Sequence, residues 1–242
     1  MNEKNIDIFK LKIIGMITMT ILNLALSGII KNYYITIPMG IIGCMSITIF
    51  AFLITEGYRH TSSLNKYMLR VLFVAVISAY PYQWVFGTAK FDPRNFFNSA
   101  LTAFICLGSL YMYDRMKSKE TKIFFLVFIT SISIILSFEW APFAILLTLI
   151  LHIYKEKEKI MYFYIITGYT VLFMVSLVTL LMNPEYSNEA ELVNGIRQIG
   201  CIFALPLIKK YNGNLGRCFK WPLYFYYPIL LLTLFFIKNL LV

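Results

Sequence analysis

Charged residues fall in clusters along this chain, and long apolar runs separate the clusters. The runs occupy 11–30, 32–55, 70–88, 95–113, 122–138, 140–154, 160–182, 192–208 and 221–241. About 20 helical residues at 1.5 Å rise cross a hydrocarbon layer of about 30 Å, so most of these runs are long enough to span a bilayer. They are apolar on every face, the pattern of helices that meet lipid on one side and each other on the other. The pattern predicts an all-α polytopic membrane protein of about nine transmembrane helices, built as a single membrane domain over 1–242. The first run has no small-residue cleavage site and is too long for the core of a signal peptide, so it is expected to stay as an anchor.

Two runs are weaker. The 140–154 run reaches only about 22 Å as a helix. It joins 122–138 through Glu139-Trp140-Ala141-Pro142, which predicts a tight hairpin that crosses only in part. The 192–208 run carries Arg197, Gln198 and Pro206, and needs protein neighbours around those groups.

Composition agrees with the pattern: 59% of the 242 residues are hydrophobic and 14% charged, with a mean hydropathy of +0.71. Soluble domains hold about a quarter charged residues, so a soluble enzyme, a secreted disulfide scaffold and a disordered linker are excluded. The net charge of +10 brings in orientation rather than nucleic acid, because no basic block interleaved with aromatics lies outside the apolar runs. With the N-terminus in the cytoplasm, the inner segments hold Lys4, Lys10, Lys12, Arg59, Lys66, Arg70, Arg115, Lys117, Lys119, Lys122, Lys155, Lys157, Lys159, Lys209, Lys210, Arg217 and Lys220. The outer segments hold Lys31, Lys90, Arg94, Arg197 and Lys238. All 22 basic residues are then placed, with the excess where the positive-inside rule requires it. This predicts the N-terminus inside, the C-terminus outside, the 183–197 loop outside, and a multi-pass protein of the cell membrane in contact with its lipids.

Polar groups inside lipid need a partner or a cavity, which makes them the first candidates for a site. Glu56 and Arg59 stand three apart at the end of the second run and are spaced to pair on one helical turn. The plain reading of that pair is an interfacial ion pair at a helix end. The two histidines, His60 and His152, both fall near the inner face, where a helix-end role competes with a catalytic one. Asn95 and Asn98 share a face where the fourth run opens after Asp92-Pro93. The cysteines Cys44, Cys106, Cys201 and Cys218 form no CxxC and have no histidine at ligand spacing, so no metal site is expected, and the three within apolar runs are read as small hydrophobes. No Ser-His-Asp, H-x-x-x-H, Walker or dinucleotide-binding pattern is present.

Several runs in order along the chain carry a resemblance. They are Leu11-Lys-Ile-Ile14, Ile49-Phe-Ala-Phe-Leu-Ile-Thr-Glu-Gly-Tyr-Arg-His-Thr61, Lys66-Tyr-Met-Leu-Arg70, Ile77-Ser-Ala-Tyr-Pro-Tyr82 and Asn95-Phe-Phe97. Near the end follow Phe203-Ala-Leu-Pro-Leu207, Tyr211-Asn-Gly213 and Phe225-Tyr-Tyr-Pro228. Together they resemble the TraX-type membrane proteins, pilin N-acetylases within the wider group of integral-membrane acyltransferases. The block ending Glu-Gly-Tyr-Arg-His-Thr is the specific one. The resemblance implies a role in conjugation and pilin modification, acetyl-CoA as donor, and a peptide or pilin-like substrate or a membrane partner protein.

The same resemblance implies an Asp-His pair in the first span and a second histidine after the C-terminal Tyr-Pro. This chain has Leu22-Asn23 and Leu230 at those places. Acyl transfer to an amine or hydroxyl needs a group that takes the nucleophile's proton, and losing a general base costs about 10²–10⁴-fold in rate. The catalytic candidates are therefore Asn23, as a hydrogen-bond donor to an oxyanion, and Glu56, Glu139 and His152 as replacement bases. Lys12, Arg59, Arg70 and Asn95 are the candidates to hold the donor, the cations by charge on its phosphates. Two readings stand: a catalytically weak or inactive relative serving as a binding or assembly subunit, and an active acetyltransferase acting on a peptide or glycan. A transporter is disfavoured, since no inverted repeat or paired broken helices are visible.

Overall fold

The computed structural model describes residues 4–87, 97–136, 138–140, 142–182, 196–217 and 221–241. Its elements are helical: α1 (Ile8–Leu26), α2 (Tyr33–His60), α3 (Leu64–Phe86), α4 (Ser99–Arg115), α5 (Lys119–Ile135), α6 (Phe143–Ile153) and α7 (Glu158–Met182). A 3₁₀ run Ile199–Ala204 then passes into the short helix α8 (Leu205–Lys209), and α9 (Trp221–Leu241) ends the chain. Among the described residues the extended pairing is a single bridge between Ile6 and Tyr211. Among the described residues, five helices are long and apolar enough to cross a membrane: α1, α2, α3, α7 over Glu158–Val178, and α9. The last has the boundaries that the hydrophobic pattern predicts.

Four of the nine predicted runs are not among these five: 95–113 and 122–138 give helices of 17 residues each, and the two weak runs depart further. The 140–154 run forms a helix of 11 residues, about 16 Å long. The 192–208 run is not one helix. Over the described part it is α-helical at 196–198, 3₁₀ over Ile199–Ala204 and α-helical again from Leu205, with Pro206, which has no N–H to donate, in the first turn of α8. Arg197 finds the protein neighbours it needs: it is 8% exposed, and its aliphatic stem fills the space that a side chain at Gly40 would take.

Contacts divide the chain into two compact units, and the division falls within α2, between Ile49 and Phe50. The first unit holds 1–49 and 154–218. In it α1 begins at Asp7, whose carboxylate accepts from Lys10 N at 2.8 Å as an N-cap. Gly43 of α2 lies against the backbone of Leu22 in α1, and a Cβ there would come within 2.6 Å of Leu22 Cα. Small residues permit such close crossings of membrane helices. The segment before α1 pairs with the segment after α8 through Ile6 N to Lys210 O at 3.1 Å and Asn212 N to Ile6 O at 2.9 Å.

The second unit holds 50–153 and 219–242. Its apolar centre is Ile54, Cys106, Leu107, Leu110, Ala144, Ile145 and Leu149, so the end of α2 packs with α4 and α6, while α3 lies against α4 and α9. Asn98, fully buried, starts α4. Its Oδ1 accepts from Ala100 N at 3.0 Å and Leu101 N at 3.1 Å, and its Nδ2 donates to Ala75 O of α3 at 2.9 Å. One amide thereby caps a helix and ties it to its neighbour.

Candidate functional site

The last turns of α2 gather the polar residues of the second unit. Glu56, 2% exposed, accepts from Arg59 Nη1 at 2.7 Å, one turn along the same face, and His60 Nε2 stands 3.4 Å from its other oxygen. Arg59 then reaches out of its own helix. Its Nη2 donates to the carbonyls of Leu151 at 3.2 Å and His152 at 2.9 Å, at the C-terminal end of α6. Those carbonyls have no partner within their helix and carry the negative end of its dipole, so a guanidinium suits them on both counts.

The side chain of His152 turns to a different partner. Its Nε2 is 3.0 Å from Asp114 Oδ1 at the end of α4, and Tyr58 donates its hydroxyl to Asp114 Oδ2 at 2.9 Å. The Tyr58 and His152 rings meet edge to face at 5.6 Å. An ionised carboxylate only accepts, so Nε2 carries the ring hydrogen and Nδ1 of the neutral ring presents its lone pair. Nδ1 is buried and has no hydrogen-bond partner. A carboxylate that orients a histidine and leaves its second nitrogen basic is the arrangement general-base sites use.

Every residue of the Glu-Gly-Tyr-Arg-His block now has a physical reason. Gly57 is the least obvious: a Cβ there would lie 2.8 Å from the hydroxyl of Tyr67 in α3, so any larger residue requires the Tyr67 ring to shift. Arg70, also in α3, stacks its guanidinium over Tyr224 of α9 at 5.6 Å.

A second polar cluster surrounds Glu139, in the connector between α5 and α6. The Glu139 backbone is pinned by Phe97 O, which accepts from its N–H at 3.1 Å, and by Thr102, whose hydroxyl donates to its carbonyl at 2.6 Å. The carboxylate accepts from Trp140 Nε1 at 3.0 Å on one oxygen, its other oxygen is buried without a hydrogen-bond partner, and Ser99 and Tyr82 stand nearby. Ser99 in turn donates to Tyr227 at 2.9 Å. Burial pushes the Glu139 carboxyl above the usual carboxylate range even though the polar groups of Ser99, Trp140 and Tyr82 pull it down. Trp140 holds its indole there from a left-handed backbone, φ 62°, which costs a non-glycine residue about 1 kcal/mol or more. Leu230 lies three residues beyond Tyr227 on α9 and is 8% exposed.

The remaining expected site residues belong to the first unit or lie outside the described residues. Asn23 is in the first unit, 6% exposed, and its amide donates to Met19 O of its own helix at 2.8 Å. Lys12 is half-buried on α1, in the same unit. Asn95 lies outside the described residues. Sequence reasoning passed over Asp114 and Tyr58, which hold His152. The available signal was an acidic residue, Asp114, beside a cluster of bases at a helix end.

The profile of the TraX protein family matches residues 8–238, nearly the whole chain. The chain belongs to the TraX family. It is also similar to the "Probable fimbrial assembly protein FimC, serogroup H1" of Dichelobacter nodosus, with 25% identity over 241 residues and 94% of each chain covered. No solved structure matches it.

Proposed function

We propose that this TraX-family protein acts in the membrane as a binding or assembly subunit for pili or fimbriae, with little or no acetyl transfer of the TraX kind. Asn23 carries the reading. It stands where the family resemblance expects the proton-accepting histidine, and its amide is engaged with Met19 O. An amide accepts no proton near neutrality. The donor side points the same way. Arg59, expected on the phosphates of acetyl-CoA, is held by Glu56 and two α6 carbonyls, and Arg70 lies on Tyr224. Arg59 so held does not fit a phosphate-holding role, while the buried Nε of Arg70 has no hydrogen-bond partner. The similarity to a fimbrial assembly protein over 94% of both chains supports the assembly role.

The experiment compares cells lacking the chain with cells complemented by the wild type or by His152→Ala. Fibres on the surface and labelled acetate in their subunits are measured together. Fibres that depend on the chain, form equally with His152→Ala, and gain no acetate from it are the expected result. Acetate incorporation that requires the chain overturns the reading.

The second reading, an active membrane acetyltransferase on a peptide or glycan, is favoured by one observation, the Asp114–His152 pair with its buried basic nitrogen. Acetate incorporation abolished by His152→Ala supports it.

A further inference from the structure

The first unit brings together two cysteines that are far apart in sequence. Cys44 of α2 and Cys201 of the 3₁₀ run are 0% and 1% exposed. The Cys201 thiol donates to the carbonyl of Cys44 at 3.3 Å, which sets the two residues side by side. Two neighbouring contacts fix the approach. Thr48, one turn along α2, donates its hydroxyl to Cys201 O at 2.9 Å. Gly200 lies so close to Ile41 O that a Cβ would overlap the oxygen. Both sides of Cys201 are therefore anchored to α2.

We infer that Cys44 and Cys201 form a dithiol pair that closes to an intramolecular disulfide, a covalent modification site linking the 3₁₀ run to α2. The oxidant is a lipid-soluble disulfide, because both thiols are sealed from water. One cysteine thiolate attacks it, forming a mixed disulfide and releasing one thiol. The second cysteine displaces the other half, forming the Cys44–Cys201 bond and releasing a second thiol. Two cysteine thiols and one disulfide become one disulfide and two thiols, with the protons passing to the released thiolates. The 3₁₀ run gives the route in, since its hydrogen bonds are poorer than those of an α-helix and open at lower cost.

The pairing goes beyond the assembly role and stands or falls separately. The probe is 4,4′-dithiodipyridine, added to membranes that contain the full chain. Free thiols are then alkylated after denaturation, and the peptides are analysed by mass spectrometry. The expected product is a reducible link between the peptides of Cys44 and Cys201, with no pyridyl adduct left on either. Cys44→Ala should leave a stable adduct on Cys201 instead, because the resolving thiol is gone. Cys201→Ala serves as the reciprocal variant if Cys44→Ala fails to accumulate. Stable adducts on both cysteines of the wild type overturn the inference. So do unreacted thiols at both, or a link from either to Cys106.

Discussion

His152 Nε2 lies 3.0 Å from Asp114 Oδ1, and the two residues are 38 positions apart in sequence. The contact joins the end of α6 to the end of α4, and Tyr58 adds α2 from the other oxygen. Asp114→Asn keeps the shape and removes the charge. It should cost about 1 kcal/mol, below the roughly 1.5–3 kcal/mol of a hydrogen bond to a charged group, because the Asp114 side chain is 42% exposed and solvent screens it. Thermal unfolding in detergent measures it. No change in melting temperature would mean that the contact contributes nothing to the fold.

Arg59 and Glu56 offer a sharper test. Glu56 is almost fully buried, so removing the guanidinium leaves a desolvated carboxylate, at a cost of about 3–5 kcal/mol. Arg59→Met alone should therefore be severe. Pairing it with Glu56→Met should recover much of the loss, since an apolar pair of similar volume in place of a buried ion pair is often neutral. A double variant no better than the single would show that Arg59 matters chiefly through the Leu151 and His152 carbonyls.

Much of this was legible in the sequence, and the failures have physical causes. The Glu56–Arg59 pair follows from helical spacing, and the bounds of α9 follow from hydrophobicity alone. Local rules reach that far. The His152–Asp114 and Tyr58–Asp114 contacts are set by how helices pack, which spacing along one chain does not encode. The 192–208 run misled for a related reason. Apolar composition gives burial but not helix type, and here Pro206 and the close approach at Gly200 come with a 3₁₀ segment. The Cys44–Cys201 proximity was missed because each cysteine alone reads as a small hydrophobe.

Gly57 tests the packing of α2 on α3. Gly57→Ala should destabilise by about 1–3 kcal/mol, because the new methyl meets the Tyr67 hydroxyl at 2.8 Å. Tyr67→Phe removes that oxygen and should restore part of the loss. Additive losses in the double variant would locate the strain elsewhere.

Glu139 makes stability depend on pH. Its pKa is raised on folding, so between the ordinary carboxylate range and the raised value the folded state binds the proton that the unfolded state releases. The contribution is complete below the ordinary carboxylate range and is lost as pH rises through the raised value. Melting temperature in detergent should fall across that window, and Glu139→Gln should flatten the profile. An unchanged slope in Glu139→Gln would assign the dependence to another group.

The last test concerns chemistry. Purified protein in liposomes, given labelled acetyl-CoA and an acceptor peptide, should transfer little or no acetyl. Leu22→Asp, Asn23→His and Leu230→His together rebuild the pattern that the resemblance implies, yet they supply only the proton acceptors. The guanidinium of Arg59 would remain on Glu56 and the α6 carbonyls, so the triple variant should gain little. Adding Glu56→Gln, which weakens the hold on Arg59, should raise the rate further if that guanidinium is the missing donor contact. Robust turnover by the unmodified chain, lost in His152→Ala and Asp114→Asn, would instead make the Asp114–His152 pair the proton-accepting site.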